Sequence, residues 1–386
     1  MKKVRLKFLI FLLLLPSITI FITGCWNQRD LNKLAIVSAI GIDKDEDQGV
    51  KVTVQIVKPA VAKGGGAAKG GSEDKKAVWI LSSKGRTVFD ALRNMVKKSG
   101  RKLYYPHNYV IILGGQMAKE GVLSIMDWFN RDHEVRPLTW ILVTKGNAED
   151  IMRVQSELEK IPADHISRML KEYGAVSQTV TINLMEFYNQ LLCEGTQPVA
   201  GRIELKKANG EDELKLEGSG VFRKDRLIGW LDPLETRGYL WIRDKVKSGI
   251  VTVPCQENKE KLVSLEIIKA SSKIKPLMKK GELHFSIQIN VESNLGEQTC
   301  NTMEVKAETI SYLEDELNAA IKNEIETVIN KSQEDFKEDI FGFGMAVMRQ
   351  YPKEWNELKD NWDETFSRLE IEVVVNSIIR RVGMVE

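Results

Sequence analysis

The sequence predicts an α+β fold in several domains: mixed β-sheets covered by helices, with one long helix laid on an antiparallel sheet in the C-terminal domain. Three patterns point there. Apolar residues alternating with polar ones, as at Val50, Val52, Val54 and Ile56, have the period of a half-buried strand. Apolar residues spaced by three and four, as at Ile310, Leu313, Leu317, Ile321, Ile325 and Val328, have the period of a helix. Strands and helices alternate up to about residue 153, whereas strands dominate the second half, so the two halves differ in kind. At 386 residues the chain is too long for one ordinary core. The expected division is a leader at 1–24, an N-terminal α/β domain at 25–197, a small middle β-rich domain at 198–260 and a C-terminal α+β domain at 261–386.

In order, the leader comes first. Lys2, Lys3, Arg5 and Lys7 form a positive head, residues 8–22 an apolar run, and Thr23 and Gly24 a small-residue site before Cys25. That is the layout of a secretory signal. The run of 15 residues is shorter than the roughly 20 a spanning helix needs. Ile22-Thr23-Gly24-Cys25 resembles a bacterial lipobox, with Ile22 where Leu is usual. In such a site a peptidase cuts between Gly24 and Cys25. The Cys25 thiol carries S-diacylglycerol, and N-acylation follows cleavage. Two acyl chains suffice for stable anchoring, at ~0.8 kcal/mol per buried methylene. The rest of the chain is then expected outside the cytoplasm, at a membrane surface.

Leu31, Leu34 and Ala35 suit one helical face. Residues 36–43 read as a strand entering a solvated acidic turn at 43–49, with 50–56 as its hairpin partner. The Gly- and Lys-rich stretch 58–76 reads as a flexible loop, not a phosphate cradle, because the Gly-Lys-Ser/Thr motif is missing. A strand at 77–82 leads to a helix through Val88, Leu92, Met95 and Val96. Lys97, Lys98, Arg101 and Lys102 suit its C-terminus and Gly100 its stop. A strand at 108–113, a helix at 121–130 and a strand at 139–143 follow, and Asn147 is placed to cap a further helix. Helices at 162–173 and 181–192 precede the break Gly195-Thr196-Gln197-Pro198. Residues 214–222 and 227–231 form a hairpin, and strands recur at 263–270 and 283–291. After the long helix, 354–366 reads as helical with Trp355 and Trp362 on one face. Leu369, Ile371, Val373 and Val375 mark a closing strand.

Composition narrows the function. Lys plus Arg number 56 against 54 for Asp plus Glu, so the concentrated basic face that nucleic acid demands is not expected. His107, His133, His165 and His284 never fall at metal-site spacings. Cys193, Cys255 and Cys300 are too far apart for a disulfide framework or a metal knuckle. They read as free, partly buried thiols, with room for one bridge at most. The charged stretch Arg131-Asp132-His133-Glu134-Val135-Arg136 is the most enzyme-like, yet it reads as a structural ion-pair network. Ser219 lies on a hairpin strand, not on a nucleophile elbow, and Gly342-Phe343-Gly344 reads as a packing turn. No catalytic residue, cofactor or metal is expected; Cys25 is the single site residue.

Four passages remain: Cys25-Trp26-Asn27-Gln28-Arg29-Asp30-Leu31-Asn32, Ala39-Ile40-Gly41-Ile42-Asp43, the run from Gly220 through Phe222 and Leu227 to Gly229, and Asp339-Ile340-Phe341-Gly342 with Tyr351-Pro352-Lys353-Glu354-Trp355. Together, from the lipobox to Gly383, they resemble the Ger(x)C family, the C subunits of spore nutrient germinant receptors. Gln28 stands where that family often has a charged residue. The resemblance implies a mixed α/β architecture in three domains and no catalytic activity. It implies a lipoprotein on the outer face of the spore's inner membrane, working beside two integral membrane subunits, A and B. Cys25 is the one functional residue it carries over. Two other classes share the export signal. A lipid-anchored solute-binding protein calls for two comparable α/β lobes, which the strand-rich second half does not suggest. A cell-wall-active lipoprotein calls for paired carboxylates or zinc ligands in a groove, and none is evident.

Overall fold

The structure is a computed structural model, and it describes residues 33–47, 49–62, 76–208, 210–300 and 306–381. The leader, the lipobox and Cys25 lie outside the described residues.

The chain enters as β1 (Leu34–Asp45), which forms the expected antiparallel hairpin with β2 (Gly49–Val57). Asp43 and Asp45 belong to the strand and are buried; they are not part of a solvated turn. In the stretch expected as a flexible loop, α1 (Pro59–Ala62) is a short helix and 63–75 lie outside the described residues. β3 (Val78–Gly85) pairs with β2. In α2 (Val88–Ser99) the Thr87 side chain accepts the Asp90 N–H at the start, and Gly100, at φ 63°, makes the left-handed stop.

β4 (Lys102–Tyr104) and β5 (Val110–Leu113) run parallel to β1. α3 (Gly115–Glu120), α4 (Leu123–Arg131), β6 (Trp140–Val143), α5 (Ala148–Arg153) and α6 (Pro162–Glu172) complete the α/β part. β5 is buried on both faces, as a parallel strand between two helical layers must be. Ile111 and Leu113 share one core with Leu92, Met95 and Met126, while Val110 and Ile112 share another with Ile151, Ile166 and Leu170. At the start of α5 Asn147 makes no side-chain cap. Asp43 does it instead, accepting the N–H groups of Ala148 at 2.6 Å and Glu149 at 3.0 Å.

After β7 (Ile182–Asn183) and α7 (Leu184–Leu191), three strands extend the same sheet: β8 (Val199–Ala208), β9 (Glu211–Arg223) and β10 (Arg226–Leu231). Ten strands result, in the order β10-β9-β8-β6-β5-β1-β2-β3, with β4 on β1 and β7 on β6. α8 (Pro233–Ile242) leads to β11 (Gly249–Pro254), the edge of a second sheet with β12 (Leu262–Lys279), β13 (Glu282–Gln298) and β14 (Glu370–Arg381) in that order. The stretch 198–260, expected as a middle domain, is therefore shared between the sheets. Pairing of β8 with β6 draws 199–231 into the first, and pairing of β11 with β12 draws 249–254 into the second.

The second sheet is mixed, not antiparallel throughout. β14 lies parallel to β13, from His284–Glu370 to Ser293–Ile379, because the chain returns over helices before re-entering the sheet. Those helices are α9 (Ala307–Lys331), α10 (Phe343–Gln350), α11 (Pro352–Leu358) and α12 (Trp362–Ser367). Leu313, Leu317, Ile321, Ile325 and Val328 on α9 are fully buried, against β14, β11 and α8. The helix expected at 354–366 is two pieces joined by a 3-10 turn at Lys359–Asn361; Trp355 and Trp362 still meet edge to face at 5.3 Å. Cys255 and Cys300 are disulfide-bonded, which corrects the reading of free thiols for that pair. The cause is register: β12 pairs antiparallel with both β11 and β13 and brings their ends together. Cys193 is free.

Candidate functional site

The recognisable passages of the second half converge on the seam between the two sheets. The loop between α9 and α10 is organised by Asp339, which is 1% exposed. Its carboxylate accepts the backbone N–H of Phe341 at 3.0 Å, Gly342 at 2.9 Å and Gly344 at 2.8 Å, and the Trp362 indole N–H at 3.2 Å. Burial pushes the carboxyl above its usual range, and these donors oppose that by favouring the charged form. Gly342 sits at φ 82°, where a side chain is strained. A Cβ on Gly344 would stand 2.9 Å from Gly195 Cα, Trp355 and Trp362. The packing turn is thus a close approach of two backbones.

The first sheet supplies the other side. Asp339 O accepts the Gln197 N–H at 2.8 Å, and Gly195 O accepts the Met345 N–H at 3.2 Å. At the β9–β10 turn, Arg223 donates to Phe336 O at 2.7 Å and pairs with buried Glu338. Gln197 Oε1 accepts the Lys224 N–H at 2.7 Å. A Cβ on Gly229 would be 2.5 Å from the Phe336 ring. Phe341 packs with Tyr239, Phe343 and Phe366, and Phe343 stacks on Phe285 of β13 at 4.5 Å.

Helix α8 is the second fastener. Arg237 forks onto Glu324 of α9, and Trp241 Nε1 donates to the same carboxylate at 3.0 Å. Arg237 also donates to Ile250 O of β11 at 2.9 Å. Gly238 lets α9 approach, since a Cβ there would collide with the Glu324 carbonyl. Just past the end of α8, Arg243 reaches the loop and donates to Phe341 O at 2.6 Å. Arg243 and Tyr239 also line an open cleft of about 430 Å³ that includes Lys171, Tyr173, Glu186, Lys245 and Lys247. Burial pushes Tyr173 up to about 12 and raises Tyr239, so both hydroxyls remain protonated donors at neutral pH. Cations and hydroxyl donors there suit an acceptor-rich solute, and a group held by Arg243 would touch the seam loop directly.

Other residues singled out in the sequence have structural partners. Arg131 pairs with Asp127 at 2.8 Å and Glu134 with Lys102 at 2.6 Å, two separate ion pairs that tie the charged stretch to residues outside it. Ser219 is buried and its Oγ accepts the Val180 N–H at 3.1 Å. Among the described residues no group of three or more His, Cys, Asp or Glu is placed to hold a metal. Among them, too, no helix is long and apolar enough to cross a membrane. Sequence reasoning missed α8 and the seam role of Asp339, Arg223 and Arg243. The signal for α8 was its capping box, Asp232 and Glu235, which the structure shows complete.

Comparison with known proteins divides the chain within the first sheet, between β8 and the body of β9. Residues 27–205 match the family model described as the spore germination protein N-terminal domain, and 217–383 match that of spore germination B3/GerAC like, C-terminal. Spore germination protein KC of Bacillus subtilis (strain 168) is 29% identical, over 98% of this chain and 96% of that protein. Spore germination protein A3 of the same organism is 26% identical, over 95% of each. The crystal structure of the GerBC protein has the same fold, with a TM-score of 0.55 at 21% identity, covering 88% of this chain and 96% of that one.

Proposed function

Because this chain belongs to the Ger(x)C family of spore germination proteins, we propose that it is the lipid-anchored C subunit of a nutrient germinant receptor. It works without catalysis beside two integral membrane subunits, A and B, on the outer face of the spore's inner membrane. Cys25 is its anchor, cleaved after Gly24 and carrying the acyl chains. The observation that carries the reading is the pair of family matches, which together run from 27 to 383 with one short gap. Within that reading, buried hydrogen bonds and close-packed glycines join the two sheets at the Asp339 loop.

Spore membranes from a strain carrying tagged wild-type chain, and from one carrying Cys25→Ala, test this directly. Labelled palmitate should appear on the wild type alone, and the A and B subunits should co-purify with it. Equal label on both chains would refute the anchor. Recovery of the wild type without any integral membrane partner would refute the receptor role.

A further inference from the structure

We propose that the outer face of α2, with the basic stretch that follows it, is a second membrane contact that lies against anionic lipid headgroups. The inference rests on the Cys25 anchor proposed above. Residues 86–102 carry Arg86, Arg93, Lys97, Lys98, Arg101 and Lys102 against a single carboxylate, Asp90, in a chain whose net charge is only +2. Lys97 and Lys98 complement the helix dipole at the C-terminus of α2. That role does not account for Arg86 and Arg93 ahead of them, or for Arg101 and Lys102 beyond the Gly100 stop.

The apolar pattern agrees. Val88, Ala91, Leu92 and Met95 fill the core, yet Phe89 and Val96 stay 46% and 38% exposed. They share one face, spaced by seven residues, with Arg93 over the Phe89 ring at 4.8 Å. Phe89, Arg93, Val96 and Lys102 border one hollow of about 150 Å³ with Asp132, His133 and Glu134. Of the two carboxylates there, Glu134 pairs with Lys102 at 2.6 Å, which offsets that cation, and Asp132 accepts the Glu134 N–H at 2.8 Å. Asp90 is occupied by the Arg86 N–H and by Asn94. Lys98 donates to Ser82 O, and Arg93, Lys97 and Arg101 are exposed. Cations flanking an exposed aromatic and an aliphatic side chain are the makeup of an interfacial contact with anionic lipid.

Position selects the lipid as occupant. Lys102 of β4 pairs with Leu34 of β1, so the basic end of α2 lies beside the point where the described chain begins. Lys33 stands eight positions after Cys25, a reach of at most about 29 Å for an extended chain. An acyl anchor on Cys25 therefore holds this face close to the headgroups, and the charge fixes which way the first sheet lies.

Hydroxyl-radical footprinting of the full chain tests this, in phosphatidylcholine vesicles with and without phosphatidylglycerol. Oxidation of Phe89 should fall about threefold on the anionic vesicles and recover in about 1 M salt, where the Debye length is about 3 Å. Exposed Met278, on the second sheet, should not change. Reversing Lys97, Lys98 and Arg101 to Glu should abolish the protection and leave Met278 as it was. Equal oxidation of Phe89 on both vesicles would overturn the proposal. So would protection that needs added spore-membrane proteins, which would make the occupant a protein. Intact mass separates the two readings: an unacylated chain overturns the anchor alone, because the leader's apolar run still holds the chain on the vesicle for the footprint.

Discussion

Leu317→Ala distinguishes a core helix from a docking helix. Leu317 lies near the middle of α9, fully buried, with Leu313 and Ile321 one turn to either side equally buried. The substitution removes three carbons, and at ~0.8 kcal/mol for each the lost burial is about 2.4 kcal/mol. The neighbours are held by a β-sheet on one side and by the Arg237–Glu324 pair of α8 on the other, so they collapse little into the gap. A cavity contribution of ~24 cal/mol per Å³ then carries the total toward ~4 kcal/mol. In urea, with a slope of about 3 kcal/mol/M, the midpoint should fall by about 1 M or slightly more. Equilibrium unfolding of the purified chain followed by tryptophan fluorescence reads this out. A change below about 1 kcal/mol, with receptor assembly lost, would show that the stripe serves a partner and not the core.

Replacing Cys255 and Cys300 together by Ser should lower stability by about 2–4 kcal/mol, since the bond closes a loop of 45 residues; equal melting with and without reductant would contradict it. Gly344→Ala should cost about 1–3 kcal/mol by overpacking the seam, whereas Gly146→Ala, with no atom within 4 Å of the new carbon, should be close to neutral. Arg237→Ala leaves the buried Glu324 carboxylate with the Trp241 indole N–H but no cation, and should cost about 3–5 kcal/mol, read from the same urea curves. Burial opposes ionisation of Glu149, but Lys51, Arg153 and Ser82 hold it at about 2, below its ordinary 4.5. Its stabilising contribution is therefore complete above pH 4.5 and lost as the pH falls toward 2. The gap in midpoint between wild type and Glu149→Gln should narrow over that window, and a gap that stays constant would refute the assignment.

What was legible in the sequence was local. The β1–β2 hairpin, the α2 stop at Gly100, the stripe of α9 and the alternation of β14 each follow from neighbours a few residues apart. What escaped depends on distant partners. Asp43 sits in an acidic run and reads as solvated, yet it caps a helix 105 residues on. Seven consecutive residues of α8, Thr236 to Ile242, are buried, so that helix has no apolar face for a period to reveal. Residues 198–260 look like a unit because their strands are contiguous. They divide because β8 meets β6 at only two pairs, Leu142–Gly201 and Val143–Arg202, which no local pattern announces. Gly342-Phe343-Gly344 reads as a packing turn; that the turn fastens two sheets depends on Gly195 and Gln197, well over 100 residues earlier in the chain.

The parallel pairing of β14 with β13 has a consequence for the order of folding. β12 and β13 form a hairpin across Lys280 and Gly281, both in the left-handed region, so their contacts are local and close quickly. β14 pairs with residues 86 positions earlier, starting at His284–Glu370, and is the last described strand to be synthesised. Contacts at that separation carry a closure entropy that must be met before they stabilise anything. The Asp339 loop lies inside this excursion, so the junction of the two sheets matures only after nearly the whole chain is present. A chain ending before residue 370 leaves β13, which carries Phe285, Ile287 and Ile289, as an open edge, a template for aggregation and a ready mark for proteolysis. Pulse-labelled hydrogen exchange should accordingly show β12 and β13 protected before β14 and the Phe341–Gly344 amides, which should gain protection together.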